Sequence, residues 1–271
     1  MVTSSPTLVC VHAHPDDEAL FTAGISSHYG ALGYQVVLVT CTNGALGLDQ
    51  VGRPGSDPRH DSETTVATRA GELQRAARCA GFSRLVNLGY EDSGMIGWPQ
   101  NDEPHAFMNV DVDVAALTLA ALLDEVGAAV VVTYDENGFY GHPDHIMANR
   151  VTQRAVQLST STQRLYYPVV PRGVLEKFTR GAKAQGVYLP AWIIEATPDT
   201  PDELVACVMD VTAYAAKKQE AISLHQSQID NGDLVKMSLE LFTLLFGTEY
   251  YQRAWSRSPV EGDRTDLFGG L

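Results

Sequence analysis

Four segments of the chain are continuously apolar instead of alternating: Leu8–Ala13 (LVCVHA), Tyr34–Thr42 (YQVVLVTCT), Arg84–Tyr90 (RLVNLGY) and Ala128–Asp135 (AAVVVTYD). A strand that is apolar on both sides has to be covered on both faces. Segments with helical spacing lie between and after these runs: Asp17 to about Leu32, Glu63–Gly81, Val112–Gly127 and His145–Ser159. This alternation predicts an α/β protein, a Rossmann-like layer sandwich with a mostly parallel sheet and right-handed crossovers. The second half is less regular. Arg164–Pro171 and Ala191–Thr197 read as further strands, and Val211–Gln228 and Val235–Gly247 as helices. No Pro/Gly/Ser linker separates the halves, so residues 1–271 are expected to form a single domain with an elaborated C-terminal part.

In such a sheet, the loops after parallel strands gather at one edge, where open α/β folds bind ligands. Here those loops are the polar ones: His14–Glu18, the long segments Gly44–Ser62 and Glu91–Asn109, and Thr133–His145. Other functions are disfavoured by composition. A net charge of −14 argues against nucleic acid and anionic membrane surfaces as partners. No apolar run approaches the roughly 18–20 residues of a membrane span, and the start, MVTSSPTLVC, lacks a basic n-region, so no signal peptide is expected. Cys10, Cys41, Cys79 and Cys207 form no C-x-x-C pair and read as free thiols of a cytoplasmic protein. A dinucleotide fingerprint after the first strand is absent; Gly44 and Gly47 read as turn glycines.

One motif occurs twice. His14-Pro15-Asp16-Asp17 follows the first strand and His142-Pro143-Asp144-His145 follows the fourth. Proline and acids suit a helix start, and positions three apart share a face there. Each copy therefore offers a histidine and a second candidate ligand on one side. The donors are imidazole and carboxylate without thiolate, a set that suits hydrolytic Zn²⁺ with three protein ligands; Fe²⁺ or another divalent ion is compatible. With four candidates for three positions, one histidine is left for an oxyanion or a leaving amine, and a free aspartate for a water. His12, by contrast, reads as a core or supporting histidine, His60 and His105 as exposed loop residues, and Glu18 as a helix-start acid or the partner of a ligand histidine.

AHPDDE (Ala13–Glu18) together with GHPDH (Gly141–His145) resembles the PIG-L/LmbE-like deacetylases, zinc hydrolases of N-acylated glucosamine derivatives. RAGELQRAA (Arg69–Ala77), LGYEDSGMIG (Leu88–Gly97), TYDENGFYGHPDH and DVTAYAAKKQEAISLHQSQ (Asp210–Gln228) extend the likeness in the order of the mycothiol-pathway branch that acts on GlcNAc-inositol. The resemblance implies zinc held by His14, Asp17 and His145, with Asp16 as general base. It implies His142 as general acid and oxyanion donor, oriented by Asp144, and Tyr140 as a further aid to the carbonyl. Arg69, Asp92, Met95 and His225 would contact a small amino-sugar substrate. A related amidase of mycothiol S-conjugates, a sugar- or nucleotide-binding relative and a homo-oligomer remain open at this level.

Overall fold

The computed structural model describes residues 6–184, 200–228, 232–259 and 264–271. Its centre is a seven-stranded sheet of order β3-β2-β1-β4-β5-β7-β6. The strands are β1 (Thr7–His12), β2 (Gln35–Thr42), β3 (Arg84–Tyr90), β4 (Ala128–Val132), β5 (Arg164–Val169), β6 (Val205–Asp210) and β7 (Thr248–Ser256). β1 to β5 run parallel, whereas β7 is antiparallel to both β5 and β6. The strand order reverses beside β1, where Val9 pairs with Val37 of β2 on one side and Val131 of β4 on the other. Every residue of β1 is buried, which is why its sequence shows no alternation.

Successive side chains of β1 enter different layers. Leu8 and Cys10 pack under α2 (Ala23–Ala31), α3 (Ser62–Cys79) and α8 (Ala215–Leu224), the helix that follows α7 (Arg172–Ala184), together with Leu267 and Phe268 near the C-terminus. Val9 and Val11 pack under α4 (Val112–Val126) and α6 (Pro143–Leu158). Asp61 and Asp111 cap α3 and α4 by accepting N–H bonds, and Gly127, with φ 64°, ends α4 in a left-handed turn.

The expected parallel core is present, with three differences. The helix read over Asp17–Leu32 breaks at Thr22 into α1 (Asp17–Phe21) and α2, where the Thr22 hydroxyl bonds the buried His12 Nε2 at 2.8 Å. The helix read over Val235–Gly247 is two pieces, α9 (Gly232–Lys236) and α10 (Leu239–Phe246), the second restarted by Ser238 as N-cap. β6 and β7 are strands that the sequence reading did not find; Ala191–Thr197 lies outside the described residues. β7 is tied to the rest by Glu249, which accepts the Gly24 and Ile25 N–H groups at the start of α2 and pairs with buried Lys218 of α8 at 2.6 Å. None of the four cysteines forms a disulfide. Among the described residues no helix is long and apolar enough to cross a membrane.

Candidate active site

The carboxyl ends of β1 and β4 lie side by side at the point where the strand order reverses, and each leads into one His-Pro-Asp copy. Beyond β4 the chain makes a tight turn, α5 (Gly138–Gly141), in which Gly138 and Phe139 have φ of 62° and 64°. A Cβ on Gly138 would stand 2.8 Å from His145 Cβ, so this close approach needs glycine. The turn sets the Gly138 carbonyl 3.2 Å from His145 Nδ1. His142 is the N-cap of α6 and Pro143 its first residue; His142 Nδ1 accepts the Asp144 N–H at 3.1 Å.

Ring nitrogens of His14, His142 and His145 lie within 4.8 Å of one another, and all three residues are buried. Asp17 joins them. Its Oδ1 is 3.4 Å from His145 Nε2 and its Oδ2 is 3.4 Å from His14 Nδ1. The carboxylate is fixed from behind by the Tyr134 hydroxyl at 2.6 Å and the His14 N–H at 2.8 Å. Burial works against its charge, but the two neighbouring imidazoles hold its pKa well below the usual carboxylate range. The Tyr134 ring also stacks on His145, with centroids 4.0 Å apart.

Hydrogen bonds assign each histidine its tautomer, because a carbonyl or carboxylate only accepts and a backbone N–H only donates. His145 donates from Nδ1 to Gly138, which leaves a lone pair on Nε2, a buried atom with no hydrogen-bond partner. His14 donates from Nε2 to Asp144 Oδ2 at 3.2 Å; burial lowers its pKa, but Asp92, Asp144 and Asp17 raise it well above the usual value, so Nδ1 offers a lone pair once a metal takes the place of the proton there. His142 accepts at Nδ1, so its neutral ring carries the proton on Nε2. Thus His14, Asp17 and His145 are electron-pair donors, whereas His142 is a hydrogen-bond donor. Ligands about 2.1 Å from a tetrahedral ion stand about 3.4 Å apart, the separation of Asp17 from both histidines. The buried orphan on His145 and this spacing fit a divalent metal. A second grouping, His14 with Asp92 and Asp144, is also compact, but its carboxylates are already engaged. Asp144 accepts from Ser93 N at 2.8 Å and from the Ser93 hydroxyl, and Asp92 accepts from Leu46 N and Gly94 N. That grouping is the outer support of His14.

Asp16 occupies the N-cap position of α1, yet its side chain caps nothing. Its φ of 120° costs a non-glycine residue on the order of 1–3 kcal/mol. Its backbone N–H donates to Glu18 Oε2 at 3.0 Å, and Glu18 Oε1 accepts from His225 Nε2 at 2.7 Å. Asp16 Oδ1 is 3.3 Å from Arg69 Nη2. Burial raises the Asp16 carboxyl to about 6, although the Arg69 charge pulls the other way. His142 is pushed down to about 2 by burial and by its neighbours His14 and His145, so its ring is neutral.

Several expectations change. The Asp144 carboxylate meets His14 and Ser93, and orients His142 only through its backbone N–H. His225 does not line an open pocket; it is buried against Glu18, and Glu18 therefore partners a histidine that is not a candidate ligand. Arg69 is buried as well, with its guanidinium on the Gly44 and Pro15 carbonyls at 2.7 and 2.5 Å. Asp92 binds the loop that contains Leu46 and faces His14 Nε2 at 3.7 Å. Tyr140 and Met95 are the exposed members of the set, and the Tyr140 ring centroid is 5.0 Å from that of His145. Tyr134 and Ser93 were missed. The only sequence hint of either was a tyrosine hydroxyl at the end of an otherwise apolar strand. Between the two long loops, a pocket of about 260 Å³ is lined by Asn43, Ser62, Glu91, Asp92, Gln100 and Glu103 among others. A larger open depression of about 490 Å³, lined by His28, Val208 and Thr248 among others, shares none of the site residues.

A family model described as GlcNAc-PI de-N-acetylase, PIG-L, matches residues 9–156. Two curated relatives carry the name 1D-myo-inositol 2-acetamido-2-deoxy-alpha-D-glucopyranoside deacetylase. The one from Geodermatophilus obscurus is 38% identical, over 100% of this chain and 99% of its own length. The one from Saccharomonospora viridis is 39% identical, over 97% and 100%. Among solved structures, the N,N'-diacetylchitobiose deacetylase from Pyrococcus horikoshii superposes with a TM-score of 0.60 at 19% identity, covering 92% of this chain and 84% of that one, a likeness of fold.

Proposed function

The chain belongs to the PIG-L family of de-N-acetylases, and from that premise we propose that it hydrolyses the acetamide of an N-acetylglucosaminyl-inositol. The full-length relatives support the choice of substrate, and the geometry supports the residue roles. His14 Nδ1, Asp17 and His145 Nε2 would hold the ion, and zinc suits three nitrogen and oxygen ligands with a position left open. Bound there, a divalent ion would polarise the acetamide carbonyl and acidify the attacking water.

Asp16 is the base. A carboxyl that titrates near 6 is ionised at neutral pH and still basic enough to take a proton from water. As the water oxygen bonds to the carbonyl carbon, charge grows on the carbonyl oxygen, and His142 Nε2–H donates a hydrogen bond to it. A ring held neutral can make that bond without giving up its proton, in the manner of an oxyanion-hole donor. Asp16 then returns its proton to the nitrogen as the C–N bond breaks, releasing acetate and the free amine. This moves amine protonation from His142, where the family resemblance put it, to Asp16. Tyr140, half-exposed beside His142 and His145, supplies a second donor, its hydroxyl, at the mouth and shields the acetamide from bulk water.

The observation that carries the proposal is the division of the three histidines by tautomer into two lone-pair donors and one N–H donor around Asp17. The test is acetate and amine release by metal-replete protein from GlcNAc-inositol, simple GlcNAc and a thiol-conjugated amide of the same sugar. Preference for GlcNAc-inositol is expected. Cleavage of the thiol conjugate alone would make the protein an amidase, and no release from any GlcNAc glycoside would end the proposal.

A further inference from the structure

Asp16 reaches its position through a backbone conformation that it does not choose for itself. Among the described residues only Asp16 and Phe139 are non-glycine residues with positive φ. Among the described residues the Asp16 side chain has one ion-pair partner, Arg69, at 3.3 Å, and Arg69 is committed to two backbone carbonyls. The direction of the Asp16 carboxylate is therefore set mainly by the peptide that carries it. That peptide is gripped by Glu18 Oε2, which takes the Asp16 N–H. Glu18 is fully buried, and its other oxygen is held by His225, itself buried.

His225 comes from far away in the chain. It ends α8, outside the segment 9–156 that the family model matches. The following residues are anchored too. Ser227 donates from N and Oγ to the two carboxylate oxygens of Glu72 on α3, and Gln228 exchanges hydrogen bonds with both backbone groups of Leu48. A buried ion pair is weak evidence for a stabilising role, because desolvation offsets most of the attraction. This one ends on a single N–H, that of the residue whose direction matters for proton transfer.

We propose that Glu18 and His225 are positioning residues, a buried pair by which the C-terminal half of the chain holds Asp16 in the conformation that aims its carboxylate at the attacking water. The inference rests on Asp16 being the base. Without the acceptor at Glu18, the Asp16 peptide is free to relax to negative φ and swing its Cα–Cβ bond. A displacement of about 1 Å in a reacting group costs on the order of a hundredfold in rate. The metal position is not touched directly, because Asp17 has its own supports in Tyr134 and the His14 N–H.

The test uses the metal-replete enzyme and GlcNAc-inositol. Glu18→Leu, which removes both acceptor oxygens at similar volume, is expected to lower kcat about ten- to a hundredfold, with KM and metal content within about twofold. Glu18→Gln keeps an amide oxygen for the Asp16 N–H and is expected to recover most of the rate. In an Asp16→Asn background, Glu18→Leu should add no further loss. If Glu18→Leu does not fold, the neutral pair Glu18→Leu/His225→Leu leaves no buried charge unpaired and carries the same expectation. Wild-type kcat in these variants, a loss that tracks metal content or KM, or an additive loss in the Asp16→Asn background would each overturn the proposal. Asp16→Asn alone tests the underlying reading: near-normal turnover there would dismiss Asp16 as the base, whatever Glu18 does.

Discussion

Replacing Tyr134 by phenylalanine removes one oxygen from the structure and keeps the ring stacked on His145. That oxygen does two things: it donates to Asp17 Oδ2 at 2.6 Å and accepts the Ala13 N–H at 2.8 Å. The first is a bond to a charged acceptor, worth about 1.5–3 kcal/mol, and losing the second leaves a buried N–H unpaired, at about 1–3 kcal/mol. With partial relaxation, a net loss of about 3 kcal/mol is reasonable. An unfolding entropy of about 2.1 cal/mol/K per residue over 271 residues comes to about 0.57 kcal/mol/K, so Tm should fall by about 5 °C. As a proposed ligand, Asp17 also loses a support of its geometry, which typically weakens metal binding roughly 10–100-fold. Scanning calorimetry of metal-free protein reads the first effect, and competition with a calibrated chelator reads the second. A Tm within about 1 °C of wild type would refute the hydrogen-bond argument. A lowered Tm with unchanged metal affinity would refute the claim that Tyr134 orients a ligand.

Asp16→Asn should lower kcat by about 10²–10⁴-fold with metal content retained, and the wild-type decline of kcat/KM as pH falls through about 6 should be missing from the variant. Chelation should abolish turnover, which zinc should restore; at metal concentrations about a hundredfold above Kd, the holo protein should melt about 5 °C above the apo form, from about 2.7 kcal/mol of linkage. Asp124 supplies a stability test away from the site. Burial would raise its carboxyl, but hydrogen bonds from Ser159, Ser161 and Thr160 hold it down at about 2. A depressed carboxyl stabilises the fold above its unfolded value, near 3.9, and loses that contribution as pH falls through its folded value. Asp124→Asn should therefore melt below wild type at neutral pH, with the gap closing towards about pH 2 in melting curves.

What could be read from the sequence depended on where its pattern has only one cause. β1, β2 and β4 are apolar because both faces are covered, so they announced a parallel sheet. β6 and β7 carry mixed burial, and β7 contains a buried glutamate whose partner, Lys218, is 31 residues away; neither strand has a period that a local window detects. The break at Thr22 has the same origin, a hydroxyl spent on His12 across the layer. At the site, the doubled His-Pro-Asp located the cluster, since strand ends and helix starts are local properties. Which nitrogen carries a proton is not local. Asp144 chooses His14 across 130 residues of chain, and Glu18 chooses His225 across 207. The acids after Pro15 looked like capping residues, yet Asp16, at the capping position, leaves the cap unmade.

The adjacency of β1 and β4 in the sheet has a consequence for how the molecule matures during synthesis. The segments that meet at the cluster are more than a hundred residues apart in sequence, and β1 pairs with β4 only after β2 and β3 have been made. A chain growing from its N-terminus exposes His14 and Asp17 first, and these find His145 only once α6 has left the ribosome. Even then Glu18 lacks its partner, because its histidine is about eighty residues further on, at the end of α8. On the proposed assignment, the nascent chain would bring the three ligands together well before Asp16 is braced, and a ribosome stalled between those points would carry a chain with the ligands assembled and the base unsupported.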